Sequence, residues 1–146
     1  SNRNAAIELA NDLIEIMRSY REEMYVNTPS KGAYTYSELQ SSTAVYNGSG
    51  ALAMSATACP AAALPQTLAE AAGCWLKKVN ETLPGASANS GQFKVCPSFA
   101  VSGDCAGTGY KGSTLFIQIA WAVKKGECMD GKENSEVCTY STRLEL

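Results

Sequence analysis

The residues best suited to chemistry in this chain are six cysteines, Cys59, Cys74, Cys96, Cys105, Cys128 and Cys138. None are spaced as CxxC, so the sequence has neither a zinc-ribbon pattern nor a thioredoxin dithiol. An even count spread over the C-terminal two thirds predicts three disulfides and an oxidising compartment: periplasm, cell surface or exterior. Many pairings are formally open. The sequence-local set Cys59–Cys74, Cys96–Cys105 and Cys128–Cys138 is expected, each closing a loop of roughly ten to fifteen residues worth about 2–3 kcal/mol.

Other reactive groups point away from catalysis. The 146 residues contain no histidine, which removes Ser-His-Asp and Cys-His mechanisms, imidazole bases and nearly every common zinc site. SxxK and GxSxG are absent as well. The acid pairs Glu22 with Glu23 and Asp130 with Glu133 lie in stretches where such charges are ordinarily solvated. The loop Asp130-Gly131-Lys132-Glu133-Asn134 offers oxygens to calcium, but it contains a lysine and misses the EF-hand spacing. Asn80-Glu81-Thr82 and Asn47-Gly48-Ser49 fit the glycosylation pattern. No catalytic residue, metal site or cofactor is expected. Twelve basic residues against fourteen acidic ones, a formal charge of -2, leave no excess to neutralise phosphates, so nucleic acid is not an expected partner.

Positioning those cysteines requires a packed scaffold, and 45% hydrophobic with 18% charged residues is an ordinary globular balance. Residues 4–24 predict a helix without Gly or Pro. At about 100° per residue, Ala6, Ile7, Leu9, Ala10, Leu13, Ile14, Ile16, Met17, Tyr20 and Met24 fall within half of its circumference. Leu13, Met17 and Tyr20 mark the core face, with Leu13 and Met17 expected near Trp121 or its strand neighbours. The arc is wider than one core stripe needs, which leaves Ile7 and Ile14 on a flank for a neighbouring subunit. The helix also starts with the chain, as a longer helix cut in mid-course would. Residues 27–63 are rich in Gly, Ser, Thr, Ala and Tyr and lack periodicity. Apart from a short helical turn at 37–44 they predict ordered loop carrying surface function. A second helix is expected over 65–83, with Pro65 in its first turn, Leu68, Ala71, Ala72, Trp75, Val79 and Leu83 on one face, and Pro84-Gly85 as its end. Cys74 lies off that stripe, free to reach Cys59.

Strands are expected over 92–97, 114–124 and 137–146. The middle one alternates Leu115, Ile117, Ile119, Trp121 and Val123 against Phe116, Gln118, Ala120 and Ala122, a second face apolar enough to be covered too. The fold class is therefore α+β: an N-terminal α-helix packed on an antiparallel β-sheet, with a second helix and disulfide-stapled loops.

This order of elements resembles the soluble half of a type IV pilin. Ala6 to Arg18 (AIELANDLIEIMR) is similar to the second half of the long helix in PilV-type minor pilins. Gly73-Cys74-Trp75, Leu83-Pro84-Gly85, Gly103-Asp104-Cys105, Ile119-Ala120-Trp121 and the last strand Cys138 to Leu146 resemble that family in order and spacing, whereas residues 27–58 contribute nothing. The resemblance implies one pilin-like periplasmic domain over 1–146, with Ser1 and Asn2 a cloning remnant and residues 3–25 the C-terminal half of the pilin helix. It also implies a leader peptide, a methylated mature N-terminus and an apolar helix that anchors the subunit in the inner membrane before it enters the extracellular pilus. Its implied partners are other minor pilins, the major pilin and a tip adhesin, in pilus priming, twitching motility and adhesion. In such a bacterial protein the two glycosylation patterns are coincidental. Two other classes compete: a pseudopilin of type II secretion, and a secreted binding module using Tyr25, Tyr34, Tyr36 and Tyr46.

Overall fold

The computed structural model describes residues 1–21, 59–98, 114–128 and 135–145. Helix α1 spans Asn2–Ser19. The expected start at Asn4 is two residues late, because the Ser1 hydroxyl accepts the Asn4 N–H at 3.3 Å and caps the helix. The expected end at 24 is also corrected: Tyr20 leaves helical geometry (φ -113°, ψ 38°), where its hydroxyl donates to the Pro65 carbonyl at 3.0 Å. Ala6, Leu9, Ala10, Leu13 and Met17 are buried along one stripe.

Helix α2 spans Leu68–Thr82 and buries Leu68, Ala71, Ala72, Trp75, Leu76 and Val79. Pro65 lies before it rather than in its first turn. The cap is Thr67, whose hydroxyl accepts the Glu70 N–H at 3.1 Å, while Glu70 reaches back to the Gln66 N–H. This is close to a capping box, with the glutamate reaching the N–H one residue ahead of the cap. At the other end Leu83 is extended (φ -105°, ψ 125°), as a residue before proline must be. Gly85 then turns with φ +64°.

Three antiparallel strands follow, β1 (Lys94–Pro97), β2 (Thr114–Ala122) and β3 (Val137–Glu145), in the order β1-β2-β3. The register sets Leu115, Ile117, Ile119 and Trp121 opposite Leu144, Thr142, Tyr140 and Cys138. These eight share one face of the sheet, and all four β2 residues in the set are buried. The opposite face is covered at Phe116 and Ala120, which are buried too. One apolar cluster joins α1, α2 and the sheet, and Phe93, just ahead of β1, is fully buried in it. Burying such a side chain is worth about 1.5–3 kcal/mol.

Two disulfides lie within the described residues. Cys59 is bonded to Cys74, with Cα atoms 4.5 Å apart, and Cys128 to Cys138, 5.4 Å apart. The expected Cys96–Cys105 bond lies outside the described residues. So do the turn at 37–44 and the whole of residues 27–58.

Candidate functional site

Among the described residues two clefts border α1. The larger, about 500 Å³, lies between α1 and α2, with Ile16, Tyr20, Pro65 and Trp75 among its lining and Asp12, Glu15 and Lys78 at its rim. Trp75 is fixed there by its indole N–H, which donates to the Leu9 carbonyl at 2.7 Å. Lys78 Nζ meets the Asp12 carboxylate at 2.9 Å, and both side chains are largely in water. The hydrogen bond that Lys78 donates to Asp12, then the charge of that carboxylate, raises the Lys78 pKa above the ordinary lysine value. This pair therefore crosses from α1 to α2 while both partners stay in contact with water. The smaller cleft, about 280 Å³, is bounded by the first turn of α1, Trp121, Val123, Glu127 and the Cys128–Cys138 disulfide.

Leu13 and Met17 are fully buried, and Tyr20 is half-buried against the same cluster. Trp121 lines the cleft at residues 1–4. Leu13 and Met17 lie farther along α1 than that turn, by about 14 Å or more, and belong with Trp121, Leu115, Ile117 and Ile119 to the one buried cluster. Ile7 and Ile14 are both half-buried, and Ile14 packs against the core cluster.

Two contacts orient α1 on the sheet. The Arg3 guanidinium stands 5.7 Å from the centre of the Tyr140 ring, and Arg18 donates to the Glu145 carbonyl at 3.2 Å. The helix therefore runs in the same direction as β3, its N-terminus near Tyr140 and its C-terminus near Glu145. At 100° per residue Arg3, Ile7, Ile14 and Arg18 fall on one flank. That flank overhangs β3, while Asp12, Ile16 and Tyr20 face α2. The wide apolar arc seen in the sequence thus serves two neighbours, the sheet and α2.

Among the described residues no group of three His, Cys, Asp or Glu comes together to hold a metal ion. Asn80, Glu81 and Thr82 occupy the exposed last turn of α2. Glu22 with Glu23, the 130–134 loop, Asn47 and the four tyrosines Tyr25, Tyr34, Tyr36 and Tyr46 lie outside the described residues. No helix among the described residues is long and apolar enough to cross a membrane.

Sequence reasoning missed the Asp12–Lys78 pair, the Trp75 bond to Leu9 and the two arginine contacts, because each joins residues far apart in the chain. Thr67-Leu68-Ala69-Glu70 was the one readable signal, a capping-box pattern directly ahead of α2. No family model matches this chain, and no curated protein or solved structure matches it either.

Proposed function

We propose that this chain is the exported domain of a structural minor pilin of the PilV type, which takes part in type IV pilus assembly and performs no chemistry. The observation that carries this reading is the N-terminal amphipathic helix laid lengthwise over a three-stranded antiparallel sheet. The family-like segments in α1, α2, β2 and β3 add to it. A subunit of this kind needs surfaces that meet neighbours rather than a reactive pocket. The Ile7 and Ile14 flank of α1 is proposed as one such surface; the segment 27–58, outside the described residues, is proposed as a second from its sequence alone. Other minor pilins, the major pilin and a tip adhesin would be the neighbours, with the inner membrane holding the subunit through an apolar segment ahead of α1 before assembly.

Deleting the gene and counting surface pili tests the proposal. Fewer pili, reduced twitching and loss of adhesin from the surface, all restored by the gene in trans, are the expected results. Normal piliation, motility and adhesin display would refute it. Normal pili with failed enzyme secretion would move the protein to type II secretion. Upstream codons for a short charged leader followed by about 20 apolar residues would supply the anchor; any other upstream sequence would remove it.

A further inference from the structure

Among the described residues, the outer edge of β3 is contacted at both ends and not in the middle. In the ladder with β2, the Val123 N–H donates to the Glu136 carbonyl, and the 121/138, 119/140, 117/142 and 115/144 pairs continue that phase. The intervening residues Val137, Thr139, Ser141, Arg143 and Glu145 therefore turn their backbone N–H and C=O groups away from β2. Ser135 Oγ accepts from the Val137 N–H and donates to the Val137 carbonyl, at 3.2 and 2.7 Å. Arg18 caps the Glu145 carbonyl. Among the described residues nothing pairs with the backbone of Thr139, Ser141 or Arg143 on this side. Three N–H and three C=O groups form a template for one more strand.

The overhanging helix flank says what kind of strand fits. Ile7 and Ile14, both half-buried, lie between Arg3 and Arg18 above this edge. The helix rises about 22 Å between the two arginines, the span of a strand of about seven residues. A strand beside β3 would turn alternate side chains toward the helix, apolar ones in the middle against the isoleucines and acidic ones at the ends against the arginines. We infer that the outer edge of β3 is a docking site for an extended strand of another polypeptide, alternating in pattern, apolar at its centre and acidic at both ends. Backbone hydrogen bonds would supply affinity and the helix flank specificity. A second copy of the chain fits poorly, because antiparallel pairing of two β3 strands about Ser141 brings Arg18 of one copy toward Arg3 of the other. The docking site is drawn from the described residues of the sheet and the helix flank and does not rest on the assembly proposed above.

The test is amide hydrogen exchange by NMR on this chain, with the capped peptide Glu-Thr-Val-Thr-Val-Thr-Glu at millimolar concentration. Exchange at Thr139, Ser141 and Arg143 should slow by about tenfold or more, while Tyr140 and Thr142, already bonded to β2, change little. The same peptide with Lys at both ends should bind less tightly. Arg3→Glu with Arg18→Glu should reverse that preference, by roughly two- to fivefold per charge. Ser141→Pro removes an outward N–H that β2 does not use, so the fold should persist and the protection vanish. The inference is overturned by an absence of protection at those three amides, by their protection before peptide is added, by indifference to the Arg3 and Arg18 reversals, or by self-association of the chain through β3.

Discussion

Substituting Gly85 with alanine isolates a single steric contact between the end of α2 and the central strand. A Cβ built on Gly85 would stand 2.6 Å from the Ala122 Cβ and 3.7 Å from its Cα, well inside the roughly 3.5–4.0 Å at which carbon atoms attract. Neither side can retreat easily. The Ala122 Cβ is fixed to the middle strand of the sheet, and the Ala122 N–H donates to the Pro84 carbonyl at 2.8 Å, clamping the two chains together. Alanine at φ +64° costs about 1–2 kcal/mol, and relieving the overlap costs about 1–3 kcal/mol more. Losing glycine's freedom in the unfolded chain returns about 0.4–1 kcal/mol. The net expectation for Gly85→Ala is about 2–4 kcal/mol. Gly126 is the internal control: it too has positive φ, +86°, but among the described residues nothing lies within 4 Å of its added Cβ. Gly126→Ala should therefore cost about 1 kcal/mol or less. Urea unfolding followed by circular dichroism reads the difference, about 1 M in midpoint at an m-value of about 2 kcal/mol/M. Ala122→Gly combined with Gly85→Ala should recover the overlap part, a coupling of about 1–3 kcal/mol in the double-mutant cycle. Equal midpoints for the two glycine variants, or a cycle additive within about 0.5 kcal/mol, would refute the packing described here.

Leu13→Ala should cost about 2–5 kcal/mol because the side chain is fully buried, whereas the exposed Glu15→Ala should shift stability little; equal urea midpoints would mean the helix is turned the other way. Thr67→Ala removes the α2 cap and should cost about 1 kcal/mol in the same assay, with Thr67→Ser largely neutral. Lys78 should titrate at lower pH in an Asp12→Asn variant, read from its side-chain resonances by NMR. Because the folded pKa is raised, the pair's contribution to stability is complete below the ordinary lysine value of 10.5 and is lost as pH climbs through the folded value above it. Between pH 5 and 9 the Asp12 substitution should therefore produce a pH-independent shift at Lys78's expense, and a pH-dependent one there would contradict this contact.

The strands were the most legible part of the molecule. Alternation from Leu115 to Trp121 and from Cys138 to Leu144 placed β2 and β3 within two residues of their observed bounds, because a two-residue period has one solution once a face is buried. The α1 face was legible for the same reason, but its neighbours were not. Half the circumference was apolar, and nothing local distinguishes the part that meets α2 from the part that overhangs β3. The Ser1 and Thr67 caps set the helix starts through single hydroxyl hydrogen bonds, a signal weaker in sequence than the apolar stripe it precedes. Contacts such as Arg3 over Tyr140 join residues from opposite ends of the chain, so their existence depends on topology rather than on local pattern. The outer edge of β3 was invisible for that reason: which strand flanks another is set by topology, not by the local alternation.

The Cys59–Cys74 bond, together with the Tyr20 hydroxyl on Pro65, has a consequence for variation. Tyr20, Pro65 and Cys74 all line the cleft between the helices, and the disulfide ties Cys59 to the same neighbourhood, so the described residues on either side of the stretch 22–58 are held close together. Doubling the length of that stretch adds only about 0.6 kcal/mol of closure entropy. A closure cost so small means that a change in the length of this stretch leaves the Cys59–Cys74 bond and the Tyr20–Pro65 contact at its two ends nearly as favourable as before.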